Sequence, residues 1–395
     1  MEFHEEEVTM KNNKKIFLKG VLLGTLVTFV MGVTVTSALD AFSTVPREVE
    51  KKLELIQYYV ENKFLFDYDE KDEIEGLYQG YMMSLGDPYT GYYTEEETKE
   101  MWESSSGEYS GVGALMSQDV TTGMITLVNV FPDSPAQEAG LKDGDILEAV
   151  DGKSVLDREL TSVVNDVKGE EGTTVEMTVK HGIDGESQTY TVTRRKVESP
   201  TVEHEMKEDS VGYIRVTEFS TTTLHQFEEA MEALEADGMT SLIIDLRNNP
   251  GGNVATVSDM LRQILPKGII IYTEDKDGNR EELECDGEHE FEKPMAVLVN
   301  GYSASASEIF AGAVKDYEKA TIVGTTTFGK GIIQELIGLP DGTAIKVTTS
   351  EYFTPNGQKI HGVGIEPDVV IEPDMEDFTH DVQLEKAIEV LEEHN

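Results

Sequence analysis

Two short apolar runs, each followed by a helical pattern, most constrain how this chain can fold. Residues 242–246 and 295–299 are almost continuously apolar, and the helical patterns after them cover residues 254–265 and 307–320. Runs of this kind predict strands that are buried on both faces, because a strand with one face in water alternates polar and apolar residues. Strands that alternate with helices over residues 196–375 predict an α/β core.

The chain before this core contains two regions with different patterns of apolar residues. Residues 40–105 carry apolar side chains at spacings of three and four, which predicts helices, and the turn Gly86-Asp87-Pro88-Tyr89 interrupts them. Residues 106–195 instead contain short β-like runs. An amphipathic helix is predicted within residues 376–395, and we expect it to pack on the core. The whole pattern predicts a multidomain α/β (α+β) protein. The helical region is a candidate surface for forming a homodimer.

An uncharged, largely apolar stretch lies near the N-terminus, at residues 20–39. Twenty helical residues reach about 30 Å, close to the thickness of a bilayer core. Four lysines precede the stretch, and positive flanks stay in the cytoplasm. We therefore predict a cytoplasmic tail (1–15) and a single-pass anchor in the cell membrane (16–39), with the rest extracytoplasmic. A signal peptide cleaved near Thr36-Ser37-Ala38 remains the alternative.

The composition excludes several classes of protein. The 77 acidic and 32 basic residues give a net charge of −45, so nucleic acid is not an expected partner. A single cysteine, Cys285, cannot form an internal disulfide. The eight histidines show no metal-ligand spacing, and we expect neither a metal nor a cofactor.

Three alternate serines, Ser303, Ser305 and Ser307, follow the second apolar run and open a helix. A strand-to-helix turn exposes a nucleophile and places helix N–H groups beside it. The same serines, followed by Glu308, also fit a capping box that ties off the start of a helix. Taken alone, this segment favours the capping interpretation.

A lysine between two glycines, Lys330, stands ahead of another apolar run. Because side chains alternate along a strand, Lys330, Ile332 and Gln334 are predicted to share one face. Burial lowers the pKa of a lysine and lets it act as a general base, and Gln334 could hold the amine by a hydrogen bond. The alternative is a lysine at a strand end whose amine reaches into water.

A third segment leaves the first apolar run and enters a helix through Gly251 and Gly252. Glycines allow a close backbone approach and leave their N–H groups unobstructed. The turn therefore suits an oxyanion hole, with an ordinary tight turn as the alternative.

Together these segments resemble the carboxyl-terminal processing proteases, the tail-specific serine peptidase family. The resemblance runs in order from about Val45 to Leu391. Its most specific motifs are Asp245-Leu246-Arg247, Asn249-Pro250-Gly251-Gly252, Ser303-Ala304-Ser305-Ala306-Ser307-Glu308, and Thr327-Phe328-Gly329-Lys330-Gly331 with Gln334. The resemblance implies a serine endopeptidase without a cofactor. It implies that Ser305 is the nucleophile, that Lys330 is the general base positioned by Gln334, and that Ala306 with Gly251 or Gly252 supplies the oxyanion N–H groups.

Residues 106–195 resemble a PDZ domain of the bacterial, protease-associated type. The most specific match is Ser134-Pro135-Ala136 through Gly144-Asp145-Ile146-Leu147. The resemblance implies that this domain binds protein substrates by their free C-terminal tails. The candidate loop for the tail carboxylate is Gly111-Val112-Gly113-Ala114, whose N–H groups could form an anion nest. Lys168 stands where many relatives have an arginine that is linked to PDZ–protease coupling, and lysine lacks the bidentate fork of arginine.

The expected function is therefore that of a membrane-anchored serine endopeptidase with a Ser305–Lys330 dyad. Two alternatives stay open. A Ser–His–Asp hydrolase would need a histidine, but His225 and His361 have no motif around them, and the closing glycine of a GxSxG elbow is absent. A non-catalytic, membrane-tethered PDZ scaffold would bind tails without cleaving them, and the presence of both Ser305 and Lys330 argues against it.

Overall fold

A computed structural model describes residues 47–182, 185–374, 377 and 379–393. The chain divides into two compact units, Met1–Glu73 and Ile74–Asn395. The predicted tail (1–15) and membrane anchor (16–39) lie outside the described residues. Within the part that is described, no helix combines the length and the apolar character needed to cross a membrane.

Of the region predicted to be helical (40–105), residues 47–105 are described and contain three helices: α1 (Arg47–Lys63), α2 (Glu70–Met83) and α3 (Glu95–Ser106). A short strand, β1 (Gly91–Tyr93), lies between α2 and α3. Helix α3 begins at a complete capping box, in which Thr94 and Glu97 satisfy each other's backbone N–H groups. It ends at Gly107, whose φ of 73° gives the left-handed cap that favours glycine.

The β-like runs of residues 106–195 form two sheets and two short helices. The strands are β2 (Glu108–Gly111), β3 (Ala114–Gln118), β4 (Ile125–Val130), β5 (Asp145–Val150), β6 (Lys153–Ser154), β7 (Thr174–His181), β8 (Ser187–Thr193) and β9 (Arg195–Glu198). One sheet has the order β3-β4-β5-β7-β8 with β6 on β5, and β2 pairs with β9. The helices are α4 (Pro135–Ala139) and α5 (Leu160–Val167). Ser134 caps α4 and Gly140 ends it, as the sequence predicts.

The predicted α/β core is confirmed as a six-stranded sheet with helices on both faces. Its strands are β10 (Val202–Met206), β11 (Val211–Val216), β12 (Ser241–Asp245), β15 (Met295–Val299), β16 (Thr321–Gly324) and β19 (Val369–Val370), in that order. All neighbours are parallel except β10 and β11. The helices are α6 (Thr223–Ala236), α7 (Val254–Arg262), α8 (Ala306–Asp316) and α9 (Val382–Glu393). Helices α7 and α8 each end a few residues earlier than predicted.

A second, antiparallel sheet completes the core. It contains β13 (Gly268–Asp275), β14 (Arg280–Cys285), β17 (Ile332–Gly338) and β18 (Ala344–Phe353). Strand β1 also joins this sheet, with Gly91 paired to Lys346 and Tyr93 paired to Ala344. The segment after α2 is therefore built into the core sheet.

The topology brings the sequence motifs together. The carboxyl ends of parallel strands meet at one edge of a sheet, where crevices for ligands form. Here the chain leaves β12 into the Gly251 turn and leaves β15 into the Ser305 turn, and β16 leads to Lys330. The fold thus places all three motifs at the same edge.

Candidate active site

Ser305 precedes helix α8 in a strained backbone conformation. Its φ of 54° and ψ of −114° lie where residues with a Cβ rarely occur, at a cost of about 1–3 kcal/mol. Two buried groups hold it there. The Glu308 carboxylate accepts a hydrogen bond from the N–H of Ser305 at 2.9 Å, and the Tyr352 hydroxyl lies 3.0 Å from the Ser305 carbonyl oxygen. The contact from Glu308 is the carboxylate half of the predicted capping box.

Glu308 also connects the serine turn to the lysine turn. It is fully buried, and its Oε2 accepts from the N–H of Lys330 at 2.8 Å as well as from Ser305. Its Oε1 accepts from Thr327 Oγ1 at 2.6 Å and from the N–H of Gly329 at 2.7 Å. One carboxylate therefore fixes the backbone of both candidate catalytic residues. The sequence showed Glu308 only as a helix cap, because nothing local indicates that residues 327–330 return to it.

Tyr352 provides a second link between the same two turns. Its ring is fully buried, and its hydroxyl is 2.6 Å from the carbonyl oxygen of Lys330 and 3.0 Å from that of Ser305. Burial raises the pKa of this phenol well above its usual value, so the hydroxyl remains a donor. No role for Tyr352 was predicted from the sequence.

The Lys330 side chain is partly buried in the same cavity as Ser305. Burial lowers the pKa of the Lys330 amine, and the charge of Lys346 lowers it further, while Asp87 and Glu308 oppose the shift. The Nζ atom lies 4.9 Å from the centre of the Tyr89 ring. Among the hydrogen bonds of the described residues, none joins this amine to Ser305 or Gln334.

The predicted hydrogen bond from Gln334 to Lys330 is therefore absent in this structure. Gln334 Nε2 instead faces Thr348 Oγ1 at 3.3 Å and the Ile332 carbonyl at 3.4 Å. Strand β17 begins only at Ile332, and its register with β18 shifts between Ile333 and Gln334. Lys330 lies outside the strand and a bulge interrupts the alternation, so strand periodicity does not relate Lys330 to Gln334. Lys330 and Gln334 still line one cavity.

The two glycines of the candidate oxyanion turn differ in what they can donate. The N–H of Gly251 donates to Asn249 Oδ1 at 2.8 Å and is therefore occupied. Across the described part of the chain, no hydrogen bond uses the N–H of Gly252 or of Ala306. These two N–H groups remain the candidates to bind an oxyanion.

Gly251 serves instead to bring the two turns close together. A Cβ on Gly251 would lie 2.6 Å from the Ala304 carbonyl oxygen and 2.7 Å from Ser305 Cβ. Its φ of 103° would also strain any other residue. The close approach of backbone that the sequence predicts for this turn is thus confirmed.

The candidate active site opens into a cavity of about 530 Å³ that contains Ser305, Lys330, Gln334 and Gly252. One wall comes from helix α3, through Met101, Ser104 and Ser105. Nothing in the sequence connected this helix to the site, because its contacts there depend on residues more than a hundred positions away. The hydroxyl of Thr221, for example, donates to the Ser105 carbonyl.

The predicted peptide-binding loop connects β2 to β3. Gly111 ends β2, Val112 is buried, Gly113 has a φ of 76°, and Ala114 begins β3. The carbonyl groups of Val112 and Gly113 accept hydrogen bonds from Ala136 and Phe131. Burial raises the pKa of the Tyr109 hydroxyl, on the strand that enters this loop, to about 12.

Lys168 lies at the end of helix α5 and contacts helix α3. Its Nζ is 3.2 Å from Glu103 Oε2 and 5.2 Å from the centre of the Tyr109 ring. Glu103 immediately precedes Ser104 and Ser105, which line the active-site cavity. Coupling between this position and the protease remains a prediction, but α3 is the element through which it would act.

No histidine of the described residues hydrogen-bonds to Ser305 in this structure. His225 is exposed and lies 3.0 Å from Glu198. His361 is closer to the site, since a Cβ on Gly331 would lie 2.3 Å from the backbone nitrogen of His361. The Nδ1 atom of His361 is buried and, within the described structure, has no hydrogen-bond partner. Over the same residues there is no group of three or more potential metal ligands.

Comparisons with known proteins agree with this architecture. Residues 210–371 match the model of peptidase family S41, and residues 127–181 match a PDZ domain model. A Staphylococcus haemolyticus protein named as a probable CtpA-like serine protease is 34% identical over 360 residues, covering 90% of this chain and 72% of that protein. A Staphylococcus aureus protein of the same description is 32% identical over 375 residues, covering 91% and 74%. A solved structure from Bacteroides fragilis, assigned to the S41 proteases, has a TM-score of 0.52 and 15% sequence identity to this chain. The match covers 80% of this chain and 90% of the Bacteroides fragilis chain, and it shows a shared fold.

Proposed function

Because this chain belongs to the CtpA-like serine proteases of peptidase family S41, we propose that it is an endopeptidase with Ser305 as nucleophile and Lys330 as general base. The observation that carries the proposal is the double link between these residues. Glu308 binds the backbone N–H of both, and Tyr352 contacts the carbonyl oxygen of both. A fold without catalytic use for this pair would have no reason to hold Ser305 in a strained conformation.

The proposed mechanism begins with the neutral form of Lys330. The amine takes the proton of the Ser305 hydroxyl, and the resulting oxygen nucleophile attacks the peptide carbonyl. The N–H groups of Ala306 and Gly252 stabilise the oxyanion of the tetrahedral intermediate. Lys330 then gives the proton to the leaving amine, and water hydrolyses the acyl-enzyme. The long, flexible lysine side chain turns from Tyr89 towards Ser305 for this step, and Gln334 then faces it from the same cavity.

The substrates that we propose are proteins with a free C-terminal tail. The PDZ domain of residues 106–195 binds the tail carboxylate at residues 111–114 and presents the chain to the protease core of residues 196–375. The match of residues 127–181 to a PDZ domain supports this assignment. We also propose that residues 16–39 anchor the enzyme in the cell membrane with its catalytic part extracytoplasmic. The helical region of residues 40–105 then forms a homodimer.

The test is cleavage of unfolded casein by purified protein and its variants. We expect Ser305→Ala and Lys330→Ala each to lose at least about a thousandfold in kcat/KM, because removing the nucleophile or its base abolishes covalent catalysis. Lys330→Arg should be equally inactive, since arginine does not deprotonate. Lys359→Ala changes an exposed lysine paired with Glu351 and should behave as the unaltered protein.

The alternatives predict different results. A Ser–His–Asp hydrolase would retain activity in Lys330→Ala and lose it in His361→Ala. A PDZ scaffold would bind a tail peptide, yet the unaltered protein would cleave nothing even with that peptide present. Either result would overturn the proposed dyad.

A further inference from the structure

The turn Gly86-Asp87-Pro88-Tyr89 has no role in the mechanism so far, although the fold places it beside Lys330. Asp87 shapes the turn, since its Oδ1 accepts from the N–H of Tyr89 at 3.0 Å and its Oδ2 from the Thr90 hydroxyl at 2.7 Å. The same Oδ2 accepts from the Thr348 hydroxyl at 2.6 Å, and the N–H of Thr348 donates to Thr90 at 3.0 Å. These hydrogen bonds fix the turn to strand β18.

Two contacts connect this turn to Lys330 and Gln334 of the candidate active site. The Tyr89 ring lies under the Lys330 amine, with Nζ 4.9 Å from the ring centre. Thr348, held by Asp87, also faces the Gln334 amide at 3.3 Å. One turn from the helical region therefore reaches both Lys330 and the residue that is expected to position it.

The chemistry of the Tyr89 contact depends on the charge of Lys330. The face of an aromatic ring attracts an ammonium ion but not a neutral amine. The other charged groups near the amine are Lys346 on β18, which disfavours the ammonium, and Asp87 and Glu308, which favour it. Glu218 lines the same cavity, and His361 faces Asp87. Tyr89 adds to the groups that keep the amine protonated.

We propose that Tyr89 is a positioning residue for Lys330, holding the amine as an ammonium ion on its ring in the resting enzyme, while Asp87 fixes the ring and, through Thr348, fixes Gln334. The inference rests on the proposed role of Lys330 as general base. Substrate binding then has to move the lysine from the Tyr89 ring to Ser305. The turn thus sets the pH at which the base becomes available.

The first test is the pH dependence of kcat/KM for a fluorogenic peptide. Activity rises as Lys330 loses its proton, so the acidic limb reports the titration of this amine. Tyr89→Leu retains an apolar cover but removes the aromatic face, and the limb should move to lower pH by about half a unit to one unit. Tyr89→Phe keeps the face and should leave the limb in place. Tyr272→Leu is the matched control and should leave the limb in place, because Tyr272 forms the same kind of contact with Arg280 at 3.6 Å and neither residue lines the active-site cavity.

The second test needs no catalysis. In a Ser305→Ala background, the rate at which an amine-reactive reagent labels Lys330 is measured against pH by peptide mapping, and Tyr89→Leu should shift this titration equally. If Tyr89→Leu does not fold, Tyr89→Met replaces it, since methionine also removes the aromatic face and keeps an apolar side chain of similar length. An unchanged titration in the folded variant overturns the inference and leaves the proposed dyad intact. A shifted titration with an unshifted activity profile instead removes Lys330 from the role of base.

Discussion

At the scale of single residues, Ser305 stores conformational strain at the point where chemistry is proposed. Only a residue without a Cβ adopts its φ of 54° and ψ of −114° cheaply. Strain of this kind persists where surrounding contacts over-determine the backbone, and Glu308 and Tyr352 supply those contacts. A side chain at this position costs backbone energy, which is expected where the proposed nucleophile must be a serine.

This strain predicts that Ser305→Gly is more stable than Ser305→Ala, although both variants lose the hydroxyl. Relief of strain contributes about 1–3 kcal/mol, and the greater freedom of glycine in the unfolded chain removes about 0.5–1 kcal/mol of it. The free energy of unfolding, measured by urea denaturation, should therefore favour the glycine variant by about 1 kcal/mol. Ser303 is the control, since its φ is not positive and glycine there should be less stable than alanine. Equal stability of the two Ser305 variants would mean that the backbone relaxes without cost.

Some residues of the candidate site could be predicted from the sequence, and others could not. Ser305 and Lys330 could be proposed from their motifs because each follows a strand of the sheet, and the ends of parallel strands must meet. The contact of Gln334 could not be predicted, because the register shift between Ile333 and Gln334 depends on pairing with β18. The hydrogen bond from the N–H of Gly251 could not be predicted either, because it depends on the rotamer of its acceptor, Asn249.

At the scale of elements, the first turn of helix α8 organises the site. The motif that begins this helix has the spacing of a capping box, and its carboxylate, Glu308, also accepts from Lys330, Gly329 and Thr327. A buried carboxylate is tolerated only where hydrogen bonds replace its lost hydration, and four donors do so here. Glu308, in the first turn of α8, therefore fixes both Ser305 and the loop that contains Lys330.

We predict that Glu308→Gln loses both stability and activity. The amide nitrogen would face backbone N–H groups, and hydrogen bonds to a charged acceptor contribute about 1.5–3 kcal/mol each. The free energy of unfolding should fall by about 2–4 kcal/mol and kcat by at least about tenfold, measured by urea denaturation and casein cleavage. Thr327→Val, which removes one donor to Glu308 without touching Ser305 or Lys330, should lose stability with a smaller loss of kcat. Equal kcat losses in the two variants would show that Glu308 acts only through folding.

At the scale of the whole molecule, the order of the domains along the chain could be predicted from the sequence, but the contacts between them could not. The α/β core, the PDZ-like sheet and the helical region each have a local pattern of apolar residues that the sequence displays directly. The Asp87–Thr348 hydrogen bond, by contrast, joins residues 261 positions apart, and no local pattern encodes it. The active-site wall formed by α3 was missed for the same reason. These long-range contacts are the ones that connect the PDZ domain and the helical region to the site.

The ion pair between Lys168 and Glu103 is a side-chain route from the PDZ domain to that wall. Both side chains are partly exposed, so the ion pair itself should contribute only about 0.2–1 kcal/mol to stability. Its position matters more than its strength, because Glu103 precedes Ser104 and Ser105 of the cavity. Loss of the pair would remove a side-chain contact between α3 and the PDZ domain, while the chain through Gly107 still joins them.

A double-mutant cycle tests this route. The measured quantity is the stimulation of casein cleavage by a tail peptide, which depends on the proposed capture of C-terminal tails by the PDZ domain. We expect Lys168→Ala and Glu103→Gln each to reduce the stimulation, and the double variant to lose no more than either alone, because both single changes break the same contact. Lys99→Ala is the control, since Lys99 approaches Glu103 at 3.9 Å from within α3 and does not bridge to the PDZ domain. Additive losses would mean that the two residues act separately, and coupling would then have to pass through other contacts of α3.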